Sequence, residues 1–144
     1  EFLEKQPELE IYPRSLDLGL FTLQSTLGYG RYREVKYVTE LGGKRDFTAE
    51  RYRATLNAGK SMLLGESTVL ALGAVVDQFY YSPGDQLYAL RENAGMTTNL
   101  KNCFRNDINF RQGYTEGNTP FFFDQLGTRY HDIREQMTFY FRGN

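Results

Sequence analysis

The sequence predicts an all-β fold, an antiparallel up-and-down meander. Three observations carry that prediction: apolar residues recur with a period of two, turn signals cut the chain into long segments, and no apolar run is long enough for a spanning helix. From 21 to 29, Phe21, Leu23, Leu27 and Tyr29 share one parity and Thr22, Gln24, Thr26 and Gly28 the other. From 51 to 58, Tyr52, Ala54, Leu56 and Ala58 oppose Arg51, Arg53, Thr55 and Asn57, and near the end Met137, Phe139 and Phe141 alternate with Gln136, Thr138 and Tyr140. Neighbouring strand side chains point to opposite faces, so such alternation gives a strand one apolar and one polar face.

Turn signals rich in Gly, Pro, Asn, Asp and Ser lie at 41–46, 64–67, 82–85, 101–107 and 115–120. The strands between them are expected at 19–35, 47–64, 67–81, 86–100, 107–116 and 128–142, with a shorter one near 8–12. The segment 43–60 carries good helix formers, but its apolar residues fit a period of 2.0 better than 3.6. Connections near 36–46 and 117–127 are expected to be long, and those at 65–66 and 101–106 short.

Composition narrows the function classes. A chain of 144 residues with 17 basic and 18 acidic side chains lacks the basic excess of a nucleic-acid binder. One cysteine, Cys103, excludes an internal disulfide framework and a multi-cysteine zinc site. The chain opens at Glu1 with no methionine or apolar leader, as a mature or cut piece would. The longest apolar run, 69–76, falls far short of the ~20 residues of a spanning helix, whereas a membrane barrel strand needs only ~9–11. Aromatic girdles mark where such strands cross the lipid–water boundary, and Tyr29, Tyr80, Tyr81 and Phe121 are the candidate interface aromatics, with Tyr32, Tyr114, Phe122 and Phe123 also near strand ends. Arg51, Arg53, Asn57, Gln24 and Arg111 occupy the polar parity. In a soluble sandwich they would face solvent; in a membrane barrel they would line a wet interior.

Three stretches, in order, carry a family resemblance: "PELEIYPRSLDLGLFTLQSTLGYGRYRE" (7–34), "ERYRATLNAG" (50–59) and "GYTEGNTPFFFDQLG" (113–127). Together they resemble the barrel domain of the LptD family, the lipopolysaccharide-assembly proteins of the outer membrane. In the third stretch Tyr114, Gly117, Thr119, Pro120, Phe121, Phe123 and Asp124 hold the family-motif positions. The resemblance implies a single segment, 1–144, of a barrel domain of about two dozen strands, located in the cell outer membrane. It implies delivery of lipopolysaccharide to the outer leaflet without enzymatic chemistry, and no cofactor. The implied partners are lipopolysaccharide or lipid, a plug lipoprotein within the barrel and periplasmic bridge proteins, with no nucleic acid. The chain has no counterpart of the family's periplasmic jelly-roll domain or paired cysteines. On this reading Pro120 starts a strand, Phe121 and Phe123 meet interfacial lipid, Phe122 packs inward and Asp124 returns to water.

Catalytic and metal sites are not expected. His131 is the only histidine; Asp132 and Asp124 could complete a relay on paper, but no second histidine joins them. Cys103 sits in a polar turn with no histidine nearby. The GxG at 28–30 has no following helix to cradle a phosphate. Two other classes fit the same alternation: a small soluble β-barrel binding an apolar ligand, and a structural β-sandwich that serves as an interaction module.

Overall fold

The computed structural model describes residues 2–38, 42–100 and 103–141. The elements are β1 (Phe2–Ile11), β2 (Leu16–Asp17), β3 (Thr22–Val38), β4 (Gly43–Leu64), β5 (Thr68–Tyr81), β6 (Gln86–Leu100), β7 (Phe104–Gly117) and β8 (Arg129–Phe139), with no helix among the described residues. They form one antiparallel sheet in the order β1-β3-β4-β5-β6-β7-β8, and β2 adds a short second pairing to β3. From β3 onward each strand pairs with the next in sequence, which is the expected meander. β1 and β8 are its two edges.

Pairing is long and regular. β3 and β4 stay in register from Thr22↔Gly59 to Val38↔Gly43, and β4 and β5 from Arg51↔Tyr81 to Leu64↔Thr68. Among the described residues, the one register shift falls in β1 between Lys5 and Glu8, at Gln6-Pro7, where proline cannot donate to a ladder. Tight turns need residues that tolerate positive φ, and Gly65 (φ 73°) and Gly84 (φ 100°) supply them.

Two expectations about the connections change. The predicted long connection at 36–46 is mostly strand, since the ladder runs to Val38↔Gly43, and residues 39–41 lie outside the described ones. The other predicted long connection is one: residues 118–128 carry no strand. The turn 82–85, at the same end of the sheet, is short. The asymmetry of connection lengths therefore rests on a single loop. Pro120, expected to begin a strand, lies inside that loop, and the chain resumes pairing only at Arg129↔Tyr114.

Candidate functional site: a sheet whose two faces exchange polarity

Register decides which side chains share a face. Leu9, Tyr29, Tyr52 and Tyr80 are successive cross-strand partners and form one row, with the Tyr29 and Tyr52 rings 5.0 Å apart. Toward the 65–67 turn, below this row, the same face carries Leu27 beside Ala54, then Leu56–Val76–Leu90, Ala58–Ala74 and Met62–Leu70–Met96–Ile108. Toward the 82–85 turn, above the row, it turns charged at once. Arg31 opposes Glu50, and Arg33 bonds Asp46 at 2.9 and 2.6 Å and approaches Glu4 at 3.7 Å. That hydrogen bond holds the exposed Asp46 carboxyl below the usual carboxylate range.

The opposite face does the reverse. Below the row it holds Gln24 beside Asn57, Thr26 beside Thr55, Arg53, Asp77, Arg91 and Asn93. Asp77, only 1% exposed, accepts hydrogen bonds from Arg53 Nη2 (3.0 Å), Thr55 Oγ1 (2.6 Å) and Arg91 Nη2. A buried carboxylate is tolerated because three donors replace the water it loses. Above the row this face becomes the hydrophobic core: Tyr32, Ala49, Phe79, Tyr81 and Leu87, with Phe47 at its edge.

Loop 118–128 caps that core. Gly117 (φ 102°) lets the chain leave β7 close against β6: a Cβ there would lie 2.2 Å from the Gln86 carbonyl oxygen, which instead accepts the Asn118 N–H at 2.7 Å. The Thr119 hydroxyl accepts the Phe121 N–H at 3.2 Å, and Arg45 donates to the Pro120 carbonyl at 3.1 Å. Phe121 then enters the core with no exposed surface, its ring centroid 5.4 Å from Phe47, 5.9 Å from Tyr81, 6.1 Å from Tyr32 and 5.0 Å from Phe123. Edge-on ring contacts of this kind add to the burial itself.

Polar groups fix the loop from beneath. The Glu34 carboxylate accepts the Phe122 and Phe123 N–H groups at 2.9 and 3.1 Å. Arg51 donates to both Asp124 oxygens at 2.7 and 2.9 Å and to the Tyr32 hydroxyl at 2.8 Å. The Tyr81 hydroxyl donates to Asp124 at 3.1 Å, and the Tyr32 hydroxyl donates to Glu8. Burial and the Glu8 bond push the Tyr32 hydroxyl up to about 12, so it keeps the proton it donates. Phe122 lies under the Lys36 ammonium, 4.2 Å from it, in a cation–π contact.

Of the predicted interface aromatics, Tyr29 and Tyr80 stand in the tyrosine row, exposed on the apolar face. Tyr81 and Phe121 do not. Tyr81 is the strand neighbour of Tyr80, so it must face the other way, and it is 3% exposed. Phe121 and Phe123 belong to the core and not to a lipid boundary, because a loop is free to fold back where a strand is not. Phe122, expected to pack inward, lies beneath the cations, and Asp124 is held by Arg51 instead of returning to water. The family-motif positions Gly117, Thr119, Pro120, Phe121, Phe123 and Asp124 act together in docking the loop. Tyr114 stands apart on the apolar face, its hydroxyl donating to Glu116 at 2.9 Å.

His131 and Asp132 point to opposite faces of β8, and Asp124 is engaged by Arg51, so these three are not brought together. Cys103 is exposed in the β6–β7 turn. Sequence reasoning missed Glu34 and Asp77 as organising carboxylates. It also passed over Arg31 and Arg33, which follow Tyr29 on the same parity and mark where the apolar face ends. No family model, curated protein or solved structure matches the chain.

Proposed function

We propose that this chain is part of an outer-membrane β-barrel that moves lipopolysaccharide to the outer leaflet. The observation that carries the membrane reading is the exchange of polarity at the tyrosine row. Below it, on β3 to β5, one face is largely apolar, with Ser25 and Lys60 among the exceptions, and the other is mostly polar, the pattern of a barrel wall in lipid. Above it the same strands have a covered core on one face and ion pairs on the other, as a protein in water does. On β6 to β8 the apolar face also carries a polar patch of Glu92, Gln112, His131 and Glu135.

The apolar band has the right height. Ten residues separate Tyr52 from Met62, Tyr80 from Leu70 and Tyr114 from Phe104. At ~3.3 Å per residue and a tilt of ~40°, that spans a band about 25 Å tall. The upper aromatic line also steps sideways as tilted strands require. Tyr88 lies two positions below Gln86, the partner of Tyr80, and Tyr114 opposes Leu90, two positions below Tyr88. The polar face, with Asp77, Arg53 and Arg91, lines the barrel interior, and loop 118–128 lies on the extracellular side. The lipopolysaccharide assignment, the plug lipoprotein and the periplasmic bridge rest on the resemblance to the LptD family.

Single cysteines at Leu56 and Asn57, on a Cys103→Ser background, test the membrane reading with a fluorescent label and a lipid-soluble quencher. Quenching at 56 and protection at 57 are expected in the assembled protein; equal quenching at both sites, or none at 56, overturns it. For the transport role, depleting the protein should lower lipopolysaccharide at the cell surface, and unchanged surface levels would refute it.

A further inference from the structure

The polar face holds a concavity of about 350 Å³ where β6, β7 and β8 meet, lined by Arg91, Asn93, Asn109, Arg111 and Tyr130. Three of its side chains lie over glycines of the neighbouring strands. The Asn93 amide oxygen lies 2.6 Å from where a Cβ of Gly73 would be, Asn109 Oδ1 3.1 Å from that of Gly95, and the Tyr130 ring 2.2 Å from that of Gly113. Each of these side chains lies down across a glycine of the neighbouring strand, and any larger residue would push it away. Three such pairings side by side keep the concavity open and its polar groups low.

Those groups have hydrogen-bonding capacity to spare. The side chains of Arg111, Asn93, Asn109 and Tyr130 form no hydrogen bond or ion pair within the protein among the described residues, and Arg91 spends one nitrogen on Asp77. Arg91 pairs with Gly113 and Asn93 with Arg111, so Arg91 and Arg111 are diagonal neighbours, with backbones roughly 7–8 Å apart. Two guanidinium forks at that spacing can converge on one phosphate or carboxylate. Asp132, the strand partner of Arg111, is the one exposed carboxylate beside them, and Arg134 on β8 adds a third cation. Glu92 reaches the rim but is bonded by Gln112 on the opposite face. The volume is at the small end of ligand sites.

We propose that this concavity binds a sugar phosphate, the arginines taking the phosphate, the two carboxamides the hydroxyls and the Tyr130 ring the apolar face of the sugar. A bare phosphate would leave the carboxamides and the ring unused; a neutral sugar would leave the Arg111 guanidinium unpaired. The inference rests on the proposed function for placing this face in the barrel interior. Its geometry does not depend on which face meets lipid.

Saturation-transfer NMR on the full protein in detergent, titrated with glucose 6-phosphate, tests it. Saturable binding is expected, weakened about tenfold by Arg111→Gln, partly restored by Arg111→Lys and unchanged by Arg33→Gln on the other face, with a charge-assisted hydrogen bond setting the scale. Inorganic phosphate should compete weakly and glucose not at all. No saturable binding, wild-type affinity in a folded Arg111→Gln protein, or equal affinity for glucose overturns the proposal. Quenching at 56 with no sugar-phosphate binding would remove this site alone; binding without that quenching would remove the membrane reading alone.

Discussion

The upper and lower halves of β3, β4 and β5 are built on the same backbone ladder with opposite solvation. Below the tyrosine row, Leu56 lies on the apolar face beside Val76 while Asn57 and Asp77 lie on the polar face. Above it, Thr48 and Asp46 face outward while Ala49, Tyr32 and Tyr81 form a covered core. A strand's period of two says only that its faces differ. Which face is apolar is set by the residues at each level, and here it changes once along a single strand.

The sharpest way to break the upper half is through its centre. Phe121→Ala should cost about 3–5 kcal/mol, the usual penalty for emptying a buried phenylalanine site. The loss should be confined to loop 118–128 and read as rapid proteolysis or amide exchange there, with the strands below unchanged. Global loss of the sheet would show that the two halves are one cooperative unit.

A pair of arginines on one strand face tests the boundary itself. Leu56→Arg should cost about 2–4 kcal/mol in a lipid-facing position. Thr48→Arg, on the same strand and face but above the row, should stay within about 0.5 kcal/mol. Equal effects in urea unfolding from liposomes would erase the distinction between the halves.

Gly117→Ala comes next, at about 1–3 kcal/mol, because it forces a side chain into positive φ against the Gln86 carbonyl. It should loosen the loop as Phe121→Ala does, but less. The smallest contrast is between two carboxylates. Asp124→Ala removes a partner of the enclosed Arg51 and should cost about 1–3 kcal/mol, whereas Asp46→Ala, which removes the exposed partner of Arg33, should not measurably change the unfolding midpoint.

The alternation that specifies the sheet was legible at 21–29, 51–58 and 136–141, whereas β5, with its apolar run at 69–76, was legible only from the turns that flank it. Even the splitting of Tyr80 from Tyr81 follows from adjacency, so grouping both as interface aromatics contradicted the strand that contains them. Connection 36–46 was misread because its pairs, Lys36 with Arg45, Tyr37 with Lys44 and Val38 with Gly43, never set one apolar side chain against another. Phe121 was placed in lipid because parity was extended into a segment that is not a strand. Its true neighbours, Tyr32 and Phe47, lie more than seventy residues away in sequence. The glycine-covered concavity was invisible for a related reason: each pairing joins two strands, and only the register reveals it.

The ties that hold loop 118–128 also order the events of assembly. Although the loop connects β7 to β8, its anchors Glu34, Arg51 and Tyr81 are on β3, β4 and β5, separated from it by 88, 73 and 43 residues. Neighbouring hairpins can form as soon as their two strands exist, but contacts over such distances come late because closing a long chain is slow. The loop can dock only when five consecutive strands are already in register, since a slip of one residue would turn Arg51 and Tyr81 to the other face. Docking is thus a final checkpoint, and a misaligned sheet would show a protease-sensitive loop between β7 and β8.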